Sequence, residues 1–290
     1  MRRYLAEFLS DPRVVQLPRL VWLPILHGIV LRTRPAKSAK KYASVWTPEG
    51  SPLAVHTRRQ ADLLQGLLQF EKITVAYAMR YGEPSIAHGL KKLAGCKKIA
   101  VLPLYPQYSR STTESIRDVL PPGTAMIENF HDHPAYIAAL AAGVQRHWET
   151  HGRGEKLVMS FHGLPKRAIE LGDPYQAQCI ATAKVLAGSL RIAPANYVIT
   201  FQSRFGAAEW LQPYTEPTLV ALAKQGLKRV DVICPGFVSD CLETLEEISI
   251  EARNAFLSSG GKEFHALPCL NESPEWIEAL AAIIRQVLSS

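Results

Sequence analysis

The chain has 290 residues, 47% hydrophobic and 20% charged, with a formal net charge of +7. That length suits two domains of about 100–150 residues, and no stretch reaches the roughly 18 apolar residues of a membrane span, which excludes an integral membrane protein of the helical kind. Five cysteines with no C-x-x-C pair, and a basic N-terminus with no apolar core behind it, exclude a disulfide framework, a structural zinc site and an export signal, so a reducing cytoplasm is expected.

Arg2 to Ser10 reads as a short helix. Leu17 to Leu31 (LPRLVWLPILHGIVL) is apolar but broken by two prolines within fifteen residues. It reads either as an exposed lip touching a membrane surface or a hydrophobic ligand, or as a buried irregular segment. Arg32, Arg34, Lys37, Lys40 and Lys41 then cluster, as a solvated face or as a seat for carboxylates. The excess of positive charge favours an anionic partner, but a nucleic-acid binder is disfavoured, because the charge is dispersed and no recognition motif is present.

Pro48 to Pro52 is a turn, and Leu53 to Phe70 has helical periodicity. Strands and helices alternate from there: strand Ile73 to Ala78, helix Pro84 to Leu93, strand Lys98 to Leu104, a short helix Ser115 to Leu120, strand Thr124 to Glu128 and helix Pro134 to Trp148. The loop His131-Asp132-His133 has metal-ligand residue types, but such a spacing is common in loops. Polar residues His151 to Glu155 mark a domain junction. The alternation resumes with strand Leu157 to Phe161, helix Pro174 to Leu190, strand Tyr197 to Gln202, helix Glu216 to Gln225, strand Val230 to Cys234, a glutamate-rich helix, strand Phe264 to Leu267 and helix Pro274 to Leu288. Such a pattern predicts an α/β protein of two similar domains, 1–150 and 151–290, each a parallel sheet flanked by helices. The last helix is a candidate to pack back on the first domain.

Cys234 to Glu251 (CPGFVSDCLETLEEISIE) reads as strand end, Pro-Gly turn, N-cap at Ser239-Asp240, then helix. Glu243, Glu247 and Glu251 recur every fourth residue on one ridge, while Leu242, Leu245, Ile248 and Ala252 face a core. Like charges at that spacing oppose the helix slightly, so the row is either a solvated acidic face or a path for hydrated cations and protons.

Ligands in open α/β sheets sit beyond the carboxyl ends of strands. There the chain places Arg80 and Tyr81; Tyr105, Gln107, Tyr108 and Ser109; His162; Gln202, Ser203 and Arg204; and Phe237, Asp240 and Glu243. An imidazole beside a glycine at a strand end is a plausible base near neutral pH, and Glu243 at a neighbouring strand end is its natural partner. Dinucleotide, nucleoside-triphosphate and serine-hydrolase motifs are missing.

At these residues the chain resembles the ferrochelatase family. The matching stretches run in order through nearly the whole chain: YPQYSRSTT (Tyr105 to Thr113), SFHGLP (Ser160 to Pro165), GDPY (Gly172 to Tyr175), FQSRFG (Phe201 to Gly206), Trp210-Leu211, PGFVSDCLETLEE (Pro235 to Glu247) and Leu270-Asn271. The resemblance implies a chelatase-like, Rossmann-type three-layer fold and a lyase that inserts ferrous iron into protoporphyrin IX in haem biosynthesis. It implies that His162 and Glu243 are catalytic, and that His162, Glu243, Glu247 and Glu251 handle the metal from a helix with a π-type distortion. Arg34, Ser51, Arg80, Tyr81, Tyr108, Ser109, Gln202 and Phe237 are expected around the porphyrin.

Iron is expected as substrate rather than as a permanently bound cofactor, and no iron–sulfur cluster is expected, since the cysteine-rich extension of some members is missing. Leu17 to Leu31 resembles the lip over the pocket, which implies a cytoplasmic protein in peripheral contact with the inner membrane. Two departures accompany the resemblance. Family members ordinarily open with a strand and a Gly-Pro loop ahead of the helix matching Arg2 to Ser10, and neither is in this sequence, so the first sheet is expected to lack a central strand. Cys241 stands where some members have a second histidine. Related chelatases for coproporphyrin and iron or sirohydrochlorin and cobalt, and a non-catalytic tetrapyrrole-binding protein, stay open as alternatives.

Overall fold

The computed structural model describes residues 1–206 and 208–289. Its second half contains a four-stranded parallel sheet built from β3 (Lys156–His162), β4 (Tyr197–Gln202), β5 (Arg229–Ile233) and β6 (Glu263–Ala266), in the order β4-β3-β5-β6. Leu157, Val158, Met159 and Phe161 of β3 are all buried, because helices cover both faces of this inner strand and leave no polar side. In the β3–β4 ladder His162 lies opposite Gln202, so both side chains arrive at the carboxyl edge of the sheet.

The first half is less regular. Its sheet is reduced to β1 (Ala100–Val101) paired in parallel with β2 (Ala125–Met126). Residues 73–78, expected as a strand, are outside every ladder among the described residues. The side chain of Gln65 serves them instead, accepting from the Val75 amide at 2.7 Å and donating to the Ile73 carbonyl at 3.1 Å. Strand-like composition does not make a strand where no neighbouring strand offers backbone partners.

The apolar lip is more ordered than either reading of the sequence. It is a helix, Arg19–Ile25, running into a π-type turn, Leu26–Val30, and then the long basic helix Leu31–Val45. Pro24, which has no amide to donate, precedes the widened turn. Leu26 and Leu31 are buried against Leu5 and Leu9 of the Arg2–Ser10 helix, while Leu20 (92%) and Ile29 (60%) stay exposed. Among the described residues no helix is long and apolar enough to cross a membrane.

One hydrophobic core joins the halves. Leu64 and Leu68 of the Pro52–Leu68 helix, Tyr136 and Val144 of the Pro134–His151 helix, Met159 and Phe161 of β3, and Trp276 and Leu280 of the Pro274–Ser289 helix all belong to it. The last helix therefore packs on two helices of the first half. Gln60 adds a buried polar tie, donating to Ser239 Oγ at 2.8 Å and to the Asn271 carbonyl at 2.9 Å.

Candidate active site

His162 ends β3 and is half-buried. Its Nδ1 lies 2.6 Å from the carbonyl oxygen of Gly163. A carbonyl only accepts, so Nδ1 carries the proton and the lone pair is left on Nε2. The ring of Phe237, from the turn after β5, stands 6.3 Å away between centroids.

The glutamate helix supplies the other wall. From Glu243 to Ala252 it is wound as a π-helix for ten residues before becoming α-helical at Arg253, far longer than the single-turn bulges usual at functional sites. Its start is pinned by Asp240, whose carboxylate accepts from Thr244 Oγ1 at 2.8 Å and Asn271 Nδ2 at 2.6 Å. Gln202, buried between the sheet and this helix, donates to the Glu243 carbonyl at 2.8 Å and accepts from Ser160 Oγ at 2.6 Å. Gln202 thus fixes the helix to the sheet edge rather than presenting an open amide.

Glu247 accepts from the Ser203 amide at 2.6 Å and from Ser203 Oγ at 2.5 Å. Burial raises its carboxyl above the usual range; the Ser203 bonds and the His162 imidazole act against this, and the Glu243 carboxylate adds to it. Glu247 therefore senses both groups that the sequence marks as catalytic.

Around Glu243 stand Tyr4, Tyr42 and Tyr105. Burial first, and the nearby carboxylate second, push the Tyr42 hydroxyl up to about 12; burial raises Tyr4 in the same direction, while Tyr105 is exposed. Cys241 is buried, and burial first, then the Glu243 carboxylate, drive its thiol well above the ordinary value.

Several expected residues lie elsewhere or are committed to other partners. The acidic ridge divides: Glu251 is turned to the Lys41 ammonium at 3.0 Å, together with Glu246 at 2.9 Å. No group of three or more His, Cys, Asp and Glu side chains converges to hold a metal among the described residues, so the four-residue metal set is not assembled as a centre. Arg80 donates to Asp11 at 2.6 Å and to the Ser115 carbonyl at 2.8 Å, and the Tyr81 hydroxyl also donates to Asp11, at 2.8 Å. Both are bound to a buried carboxylate of the first half rather than open to a ligand.

Ser109 is 2% exposed and donates to Asp173 at 3.0 Å. Tyr108 donates to Glu114 at 2.9 Å in a separate cleft of about 340 Å³ shared with Arg110, Glu128, Asn129 and Gln178. Arg34 is exposed with its guanidinium 5.3 Å from the Phe205 ring, and Ser51 precedes the Pro52–Leu68 helix without capping it. In the His131–His133 loop, His133 Nδ1 accepts from the Ala135 amide at 3.3 Å and caps a helix, which accounts for it without a metal.

Tyr4 and Tyr42 carry no local signal in the sequence, since only tertiary folding brings them to Glu243. Glu246 was hidden by the four-residue spacing, because the π winding pairs it with Glu251 five positions on.

The chain matches the ferrochelatase family model over residues 1–288. It is 56% identical over 297 residues to a protein from Azoarcus sp. strain BH72, with 98% of this chain and 82% of the relative covered. It is 57% identical to one from Polaromonas sp. strain JS666, covering 97% and 80%, and 53% identical to one from Chromobacterium violaceum, covering 100% and 83%. All three relatives are named ferrochelatase. With an imidazole at one strand end, a glutamate-bearing π-helix beside it and this likeness along the whole chain, the protein belongs to the ferrochelatase family.

Proposed function

We propose that this chain is a lyase of haem biosynthesis that inserts ferrous iron into protoporphyrin IX, with His162 and Glu243 as its reacting groups. Insertion must remove two pyrrole protons, tilt the nitrogen lone pairs toward the metal and strip water from the cation. The observation that carries the assignment is the 2.6 Å contact between His162 Nδ1 and the Gly163 carbonyl oxygen: an oxygen that only accepts assigns the proton to Nδ1 and leaves Nε2 as the acceptor for a pyrrole proton. Glu243 accepts the second proton or meets the incoming metal, and Glu247, held by Ser203 and close enough to feel both groups, relays protons or metal away from them.

Iron enters as substrate, and neither a resident cofactor nor an iron–sulfur cluster belongs to this reading. Arg34 and the neighbouring Arg32 and Lys37 suit the propionates of a dicarboxylate porphyrin. The exposed face of Leu20 and Ile29 suits peripheral contact with the inner membrane from the cytoplasm.

The test is an anaerobic insertion assay with ferrous iron or zinc on Glu243→Gln. Insertion is expected to fall by at least about a hundredfold, the lower range for loss of a positioned acid or base, while porphyrin binding is kept. Turnover equal to that of the unaltered chain would remove Glu243 from its role.

A further inference from the structure

Three imidazoles meet at the amino edge of the second sheet, at the opposite end of the strands from His162. His147 and His151 stand one turn apart on the Pro134–His151 helix with ring centroids 4.6 Å apart. His265 of β6 lies 5.2 Å from the first ring and 5.5 Å from the second. Histidines four residues apart on one helix face are a metal-binding pair. A cation held tetrahedrally by one nitrogen of each of three rings would set their centroids about 5 Å apart, the spacing already present here. Behind each ring stands an oxygen. His151 Nδ1 is 3.2 Å from the His147 carbonyl oxygen, which only accepts, so Nδ1 carries the proton and Nε2 keeps its lone pair. His147 Nε2 faces Asp231 Oδ1 at 3.9 Å, and among the described residues both atoms are buried without a hydrogen-bond partner. His265 Nε2 faces Glu263 at 3.7 Å.

We propose that His147, His151 and His265 form a binding site for a divalent transition cation of the zinc type, separate from the porphyrin reaction. Asp231, Glu263 and the His147 carbonyl are its outer partners, since such oxygens orient metal-binding imidazoles and raise their basicity. Arg229, 4.0 Å from Asp231 and 3.4 Å from Glu263, offsets one of the two carboxylates and leaves the surroundings net negative, which favours a cation. The rings do not converge on one point as they stand. Ring rotation completes the site when the cation arrives, and the exposed His151 side leaves the fourth position to water. Three imidazoles select zinc-like cations over magnesium-like ones, which take oxygen ligands. The bound ion would tie the end of the helix to β6. None of this depends on iron insertion.

The experiment measures Zn²⁺ binding to the full chain at neutral pH without porphyrin, by competition with a chromogenic chelator. His162→Ala serves as the background, because it removes the imidazole of the reaction site. That chain is expected to bind one Zn²⁺ that excess Mg²⁺ does not displace. Adding His151→Gln or His265→Gln is expected to weaken the binding at least about tenfold, with the far-ultraviolet circular dichroism of the folded chain retained. X-ray absorption at the zinc edge should show three imidazole ligands in the background chain and two once His151→Gln is added. No Zn²⁺ bound by the background chain, or an affinity that moves less than tenfold with either added substitution, would overturn the proposal. So would a zinc spectrum without imidazole ligands.

Discussion

His162 owes its orientation to the residue that follows it. A Cβ on Gly163 would lie 2.7 Å from the Gln202 carbonyl oxygen and 3.2 Å from the Trp210 ring. The first obstacle is backbone of the neighbouring strand, and the same carbonyl already accepts the Gly163 amide at 2.7 Å, so it cannot retreat without breaking the ladder end. Gly163→Ala is therefore expected to destabilise the fold by about 1–3 kcal/mol, the usual cost of overpacking. It is also expected to shift the carbonyl that sets the His162 tautomer, so insertion should fall further than porphyrin binding. Gly154→Ala is the control: its Cβ would meet Asp231 at 2.8 Å, at the far end of the sheet from His162. Denaturant unfolding and insertion assays on both variants check this, and a Gly163→Ala protein that matched the Gly154→Ala protein in turnover would contradict it.

Between elements, a pH-sensitive contact joins the Pro134–His151 helix to β5. Asp231 is buried and accepts from Trp148 Nε1 and the Gly154 amide, both at 2.7 Å, while its other oxygen faces His147 Nε2 at 3.9 Å. Burial depresses the His147 imidazole below its ordinary value; Asp231 opposes the shift, while His151, His265 and Arg229 reinforce it. Glu263 stands beside His265 and Arg229 at 3.7 and 3.4 Å. The folded chain thus binds this proton less readily than the unfolded one. The associated stability is complete above the unfolded histidine value of about 6.5 and is lost as pH falls through the lower folded value. Melting temperature should drop between about pH 7 and pH 5, and His147→Gln should flatten that slope; an unchanged slope would remove His147 as its source.

The strands of this second sheet were legible in the sequence, since their apolar runs are long and sharply bounded, and β4 has the expected ends. In the first sheet β1 and β2 lie inside the expected runs 98–104 and 124–128, though much shorter, while residues 73–78 have strand composition without a partner to pair with. Within the candidate site, the sequence placed His162 at the end of a strand, where β3 ends, and expected Glu243 at a neighbouring strand end, whereas it opens the π-helix that follows β5. The Glu246–Lys41 contact was not, because a reading at four-residue spacing cannot anticipate winding at five.

At the scale of the whole molecule, the shared core predicts that the two halves behave as one cooperative unit, with the last helix packed on both. Trp276 is fully buried, with its ring 5.9 Å from Tyr136 and 5.8 Å from Phe130 of the first half. Tyr136 donates its hydroxyl to the carbonyl of Pro235, two residues before Phe237, so packing of the last helix reaches the turn that lines the His162 site. At the surface, the same helix is tied by Arg285 to Glu71 at 2.5 Å, an exposed pair whose attraction water and salt screen. Trp276→Ala is expected to cost about 3–5 kcal/mol, as large aromatic truncations in cores do, and to reduce insertion at temperatures well below its own melting point. Arg285→Ala should change neither by a measurable amount. Both halves should unfold in a single transition seen alike by far-ultraviolet circular dichroism and tryptophan fluorescence. Two separated transitions, or a Trp276→Ala protein with full activity, would show that the halves are coupled only loosely and that the site does not depend on the last helix.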